Sequence, residues 1–165
     1  MHTQIKRLVQ AALIAALACI ATMLVKIPSP VKGYINLGDC IVLVAGWVLT
    51  PFYGFLAAGI GSAMADLFSG YMVYVPATFL IKGLMALAAC YGYKLLRKPL
   101  GTLPARLLSG AAAEVIMLLG YFLFAGILYG FGPALLNIPG NIVQGIAGLA
   151  IGIPLTGIVN RSKLV

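Results

Sequence analysis

The sequence predicts an all-α integral membrane protein: a compact bundle of six transmembrane helices forming one domain over residues 1–165, with both termini in the cytoplasm. Three observations carry the prediction. Apolar residues make up 62% of the chain and charged residues only 8%, for a mean hydropathy of +1.09, which calls for lipid rather than water as the solvent. The apolar residues fall in long runs without alternation, which excludes a barrel and leaves helices as the way to satisfy the backbone in lipid. The basic residues gather in segments that a six-span path puts on one side.

Each span follows from the length a crossing needs, roughly 20 residues for a hydrocarbon core of about 30 Å. Residues 8–25, 76–96, 107–129 and 138–159 match one span each. The run 37–68 is too long for one straight crossing and short for two. Thr50-Pro51 in its middle is either a tight turn between two helices or a kink in one tilted helix, because proline lacks a backbone donor and crowds the preceding turn. Two helices, 37–50 and 51–68, are preferred. Lys6, Arg7, Lys94, Arg97, Lys98, Arg106, Arg161 and Lys163 then lie inside, and Lys26 and Lys32 outside. A five-span path with the N-terminus outside gives the same count but must translocate Lys6 and Arg7. The first segment follows basic residues as a secretion signal does, yet its apolar run exceeds a signal core of about 7–15 residues and reads as a true first helix.

Small residues recur at helical spacing. Ala11, Ala15 and Cys19 form one row of the first helix with Ala12 and Ala16 beside it, while Gly54, Ala58 and Ser62 run alongside Ala57, Gly61 and Ala65 in the third. Such rows let helices approach closely in lipid. In the third helix they read as internal packing; in the first, packing and a docking surface for another membrane subunit are both open.

Polar residues inside apolar segments cost free energy unless paired or hydrated. They concentrate at the outer ends of the spans: Asn36 and Asp39, Asp66 and Ser69, Tyr74, Thr78 and Lys82, Tyr121 and Tyr129, then Asn137, Asn141 and Gln144. Tyr74, Thr78 and Lys82 share one helical face, and Asn137, Asn141 and Gln144 share another. Two polar stripes entering from one side imply a cavity open to the outside, suited to a small polar heterocycle; the alternative is interhelical hydrogen bonding that fixes packing. Lys82 is placed to pair with Asp66 or Asp39, and Asp39 either caps a helix start or meets a ligand. Glu114, on the cytoplasmic half, has no assigned role. The connector Ile27–Tyr34, with Pro28, Pro30, Gly33 and the aromatic Tyr34, reads as a lid over the cavity.

Several chemistries drop out. There is no P-loop, His2 is the sole histidine, and neither carboxylates nor Cys19, Cys40 and Cys90 cluster as metal ligands, so no metal or cofactor is expected. Asn160-Arg161-Ser162 matches a glycosylation sequon on the predicted inner side. The net charge of +8 is accounted for by topology and anionic membrane lipid, not nucleic acid.

The stretch Gly33-Tyr34-Ile35-Asn36-Leu37-Gly38-Asp39, followed by Thr50-Pro51-Phe52-Tyr53-Gly54, Gly59-Ile60-Gly61-Ser62-Ala63-Met64-Ala65-Asp66-Leu67-Phe68-Ser69-Gly70-Tyr71 and Pro76-Ala77-Thr78-Phe79-Leu80-Ile81-Lys82-Gly83, resembles the substrate-capture S components of energy-coupling factor (ECF) transporters, closest to the riboflavin-type group. The resemblance implies a non-catalytic ABC-importer subunit in the bacterial cytoplasmic membrane. It would capture a vitamin or precursor from outside, pyridoxine-like or hydroxymethylpyrimidine in preference to riboflavin. It also implies contact of Ala11, Ala12, Ala15 and Ala16 with a transmembrane coupling subunit (EcfT-like), and two ATPase subunits that hydrolyse ATP. The substrate-binding candidates are Tyr34, Asn36, Asp39, Asp66, Tyr74, Thr78, Lys82, Tyr121, Asn137, Asn141 and Gln144. An autonomous small carrier or channel, or a membrane enzyme of lipid metabolism, are the rival classes.

Overall fold

The computed structural model describes residues 2–161; Ser162, Lys163 and the side chain of His2 lie outside the described residues. The chain opens with α1 (His2–Leu24), passes through a hairpin of β1 (Lys26–Pro28) and β2 (Tyr34–Asn36), and continues as α2 (Gly38–Val48) and α3 (Pro51–Phe68). A 3-10 turn at Met72–Tyr74 leads into α4 (Val75–Leu100). Gly101 separates α4 from α5 (Thr102–Tyr129), and the short α6 (Phe131–Ala134) and a second 3-10 turn (Leu135–Asn137) precede α7 (Ile138–Arg161).

Pro51 starts a helix; it does not kink one. Leu49 and Thr50 are both extended, with ψ of 166° and 156°, as the residue before a proline is pushed to be, and Pro51 then occupies a first-turn position where a missing N–H costs nothing. The resulting α2 has 11 residues, about 16 Å at 1.5 Å each, too short to cross a bilayer alone. It has no need of length, because Gly38 through Trp47 are all buried and the helix packs against α1, α3, α4 and α7. A helix apolar all round belongs in the middle of a bundle. Four helical segments, Gln4–Leu24, Met72–Leu100, Thr102–Tyr129 and Phe131–Arg161, are long and apolar enough to span a membrane.

Glycine and alanine set the helix separations. A Cβ added at Gly61 would stand 2.3 Å from the carbonyl oxygen of Ala15, and one at Gly46 2.6 Å from that of Ala86, so α3 meets α1 and α2 meets α4 backbone to backbone. The third-helix rows are therefore internal packing: Gly54, Ala57, Ala58, Gly61, Ser62 and Ala65 are all buried. Leu13, Leu17, Leu123, Ile127 and Val143 point away from the bundle, the outward apolar coat of a protein solvated by lipid.

One expectation needs correction. The segment 97–106, read as a connector, is helical on both sides of Gly101, whose φ of 83° makes the break. The apolar run ends before the helix does because Lys, Arg and Leu are good helix formers, and Arg97 and Lys98 sit favourably at the carbonyl end of α4. The first connector is ordered as a hairpin: Lys26 pairs with Asn36 and Pro28 with Tyr34 in an antiparallel ladder.

Candidate functional site

The polar residues at the hairpin end of the bundle converge as two buried networks. In the first, Asp39 lies in the first turn of α2, fully buried, and the Lys82 ammonium donates to its Oδ1. Gln144 of α7 donates from Nε2 to Asp39 Oδ2 at 2.8 Å, and its Oε1 accepts from the Asn36 backbone N–H at 2.8 Å. Asp39 thus spends its carboxylate across the bundle on α4 and α7 and caps nothing; Asn36 Oδ1 accepts instead from the Gly38 N–H at 2.9 Å. Of the two partners open to Lys82, Asp39 is the one it takes, and its ammonium also stands 5.4 Å from the centre of the Tyr121 ring.

The second network centres on Asp66, near the end of α3. Tyr34 donates to Oδ1 and Thr78 to Oδ2, each at 2.5 Å, and Thr78 Oγ1 is 3.0 Å from the Tyr121 hydroxyl. Burial and the adjacent Asp66 carboxylate push the Tyr34 phenol upward, so it remains a donor.

The hairpin closes over both networks. Asn137 grips it with a two-bond clamp, accepting from the Val31 N–H at 3.1 Å and donating to the Val31 carbonyl at 2.8 Å. Tyr74 donates to the Lys32 carbonyl, and Lys26 Nζ donates to Ser69 Oγ at 3.0 Å. Gly33, at φ 150°, makes the bend that a side chain would resist, and the Ser29 N–H closes the turn onto its carbonyl at 3.0 Å. Beneath lies a cavity of about 50 Å³, room for a few waters. Outside the hairpin, between it and Tyr71, Tyr74 and Tyr129, is an open vestibule of about 660 Å³. Ser29, Lys32, Gly33 and Tyr74 belong to both walls, so the hairpin and one tyrosine divide them.

Eight of the candidates line the cavity: Tyr34, Asn36, Asp66, Tyr74, Tyr121, Asn137, Asn141 and Gln144. Asp39, Thr78 and Lys82 do not; they stand behind the wall and hold Gln144 and Asp66 in place. Helical spacing put Thr78 and Lys82 on the right face, yet a long or branched side chain on that face can be consumed by a neighbour before reaching the cavity. Sequence reasoning missed Ser29, Lys32, Gly33 and Ala125 as lining residues. The first three sit in the connector already read as a lid; nothing marked Ala125. Asn141 differs from its neighbours, since among the described residues its amide has no hydrogen-bond partner.

On α1 the two small rows separate. Ala11 is buried and Ala15 packs against Gly61, whereas Ala12 and Ala16 are exposed. Glu114 is buried in α5 with neither oxygen hydrogen-bonded, crowded against Gly145 and Gly148 of α7. No metal-ligating group forms among the described residues.

A helical membrane bundle that closes a hairpin over a buried polar cavity is a membrane-embedded binding protein. The chain belongs to the family described as ECF-type riboflavin transporter, S component, which it matches over residues 2–161. It is accordingly the substrate-binding subunit of a vitamin or vitamin-precursor transporter. It is 36% identical over 136 residues to a protein of Pyrococcus woesei described as an uncharacterized protein in the gap 3' region, covering 81% of this chain and 87% of that one. It is 26% identical over 170 residues to the thiamine precursor transporter HmpT of Lactococcus lactis subsp. cremoris, covering 99% and 93%. The solved structure of the S component of a bacterial ECF transporter shares its fold at a TM-score of 0.70, with 22% identity over 97% of this chain and 99% of that one.

Proposed function

We propose that the chain captures a vitamin or precursor from outside the cell in the cavity under the hairpin and hands it inward through a transmembrane coupling subunit driven by two ATPase subunits. The chain itself catalyses nothing. In this reading the chain passes through the cytoplasmic membrane six times with both termini inside, the short α2 sheathed by its neighbours rather than spanning the lipid alone, which puts the hairpin and vestibule outside. The ligand enters from the vestibule when Tyr74 releases Lys32 and Asn137 releases Val31. It then meets Asn141, the free amide of the wall.

One observation carries the reading: a clamped hairpin over a buried wall of tyrosines, amides and Asp66. Pockets for drug-sized ligands run about 300–1,000 Å³, so the closed cavity of about 50 Å³ must expand, and a small ring asks less of it than a flavin. A pyridoxine-like compound or hydroxymethylpyrimidine is therefore preferred, with riboflavin the larger alternative. The coupling subunit docks on the exposed Ala12 and Ala16 edge of α1.

The test is mass spectrometry of small molecules that co-purify with the chain, followed by calorimetric titration of the compound found. Uptake into vesicles is then measured with and without the coupling and ATPase subunits. Binding by the chain alone with uptake only in the full assembly is expected. Uptake by the chain alone would instead make it an autonomous carrier.

A further inference from the structure

The chain has three acidic side chains, Asp39, Asp66 and Glu114, all of them buried. Hydrogen bonding sorts them. Asp39 takes Lys82 on Oδ1 and Gln144 on Oδ2, and Asp66 takes the Tyr34 and Thr78 hydroxyls. Lys82, 2% exposed, lies beside both of these acids. Glu114 differs: its side chain is only 8% exposed, yet neither oxygen has a hydrogen-bond partner. It packs on the bare backbone of α7. A Cβ added at Gly145 would stand 3.2 Å from Glu114 Oε2, and one at Gly148 would stand 2.9 Å from both Glu114 Oε1 and the Asp39 Cβ. The two acids therefore face each other beside Gly148. On its other side Glu114 borders an apolar groove between α5 and α7, where Val115, Ile142 and Ile146 are exposed to the lipid.

The titratable and charged groups around Glu114 are Asp39 and Cys40 on α2 and Lys82 on α4, while α7 presents Asn141, Gly145 and Gly148, which carry no charge. Asp39 repels a second negative charge, and Lys82 already serves Asp39 and Asp66. Arg106, the other buried base, is about two turns away on the same helix, over the Tyr93 ring. A buried carboxyl in such surroundings neutralises rather than stay charged. We infer that Glu114 is a proton-binding site: the closed bundle holds it as a neutral carboxylic acid, and that proton leaves Lys82 committed to Asp39. The consequence reaches the cavity. A charged Glu114 would compete with Asp39 for the lysine, and Asp39 holds the Nε2 end of Gln144 in the cavity wall. Glu114 is thus a positioning residue that acts through Asp39 without lining the cavity itself.

The experiment is infrared spectroscopy of the full chain in phospholipid vesicles near neutral pH, reading the deuterium-sensitive carbonyl stretch of a neutral carboxylic acid. With three acidic side chains in the sequence, single variants assign the band. The wild type should show it, Glu114→Gln should remove it and Asp66→Asn should keep it. Thermal melts give a second readout. Glu114→Gln and Glu114→Met should both fold and melt at or above the wild-type temperature, because each keeps the length of the side chain and strands no charge. Were Glu114 an ionised partner of Lys82, the same variants would melt lower by roughly 6–20 °C. A wild type without the band, a band that survives Glu114→Gln or vanishes in Asp66→Asn, or melts lowered in both Glu114 variants overturns the inference. Should Asp66→Asn not fold, Glu114→Gln and the melts decide.

Discussion

At the scale of single residues, hydrogen-bond bookkeeping separates groups that hold the cavity wall together from groups that leave it unbonded. Gln144 is bonded at both ends of its amide, so Gln144→Ala leaves Asp39 and the Asn36 N–H short of a partner. A buried polar group left unpaired costs about 1–3 kcal/mol, and both the melting temperature and ligand affinity should drop. Asn141 contributes no bond to the closed state, so Asn141→Ala should leave the melt unchanged while weakening binding roughly 5- to 150-fold in calorimetry. Equal melts with equal affinity would remove Asn141 from the site. Lys82→Ala belongs to another class. It strands the fully buried Asp39 carboxylate and should destabilise the fold by about 3–5 kcal/mol, while the pair Asp39→Asn with Lys82→Met should recover most of that loss in chemical or thermal denaturation.

At the scale of elements, the bonds that hold the hairpin over the cavity can be divided. Asn137→Ala removes the clamp on Val31, two bonds whose net worth is about 0.5–1.5 kcal/mol each, so ligand dissociation in stopped-flow or surface-based kinetics should accelerate by roughly 5- to 150-fold. An unchanged off-rate would mean the hairpin does not limit escape. The Tyr34 bond to Asp66 should be insensitive to pH in the working range. Because the phenol's folded pKa is raised, its contribution is fully present below the unfolded value of about 10 and is lost only as pH climbs toward the folded one. The melting difference between wild type and Tyr34→Phe should therefore stay level from about pH 6 to pH 9. Pro28, Pro30 and Gly33 marked the connector as stiff and bent, but the strand pairing was not legible. A three-residue ladder carries no periodic signal, and its partners lie on either side of the turn they frame.

At the scale of the whole molecule, topology and assembly give the remaining tests. Cysteines placed at Thr102 and Pro30, with the native cysteines replaced, should react with impermeant reagents from the cytoplasmic and outer sides respectively; Thr102 is chosen because Gly101 has a positive φ that resists a side chain. Opposite labelling would reverse the bundle. Ala16→Leu, on the exposed edge of α1, should block assembly with the coupling subunit while ligand binding to the isolated chain persists. Ala11→Leu, on the buried row, should instead damage the fold itself and lower both.

Composition and spacing were sufficient for the solvent, the helical class and the polar stripes that meet under the hairpin, because lipid permits few ways of satisfying a backbone and each polar residue in it must be compensated. They also marked Pro51 as a boundary, since a proline's effect on the residue before it is local. Which polar residue meets which was decided in three dimensions. Lys82 takes Asp39, 43 residues away, and Gln144 reaches Asp39 across 105 residues, pairings that depend on how closely Gly46, Gly61 and Gly148 let the helices approach. The division of α1 into a buried row and an exposed one is likewise a matter of rotation about the helix axis, set by contact with Gly61 rather than by any property of the alanines.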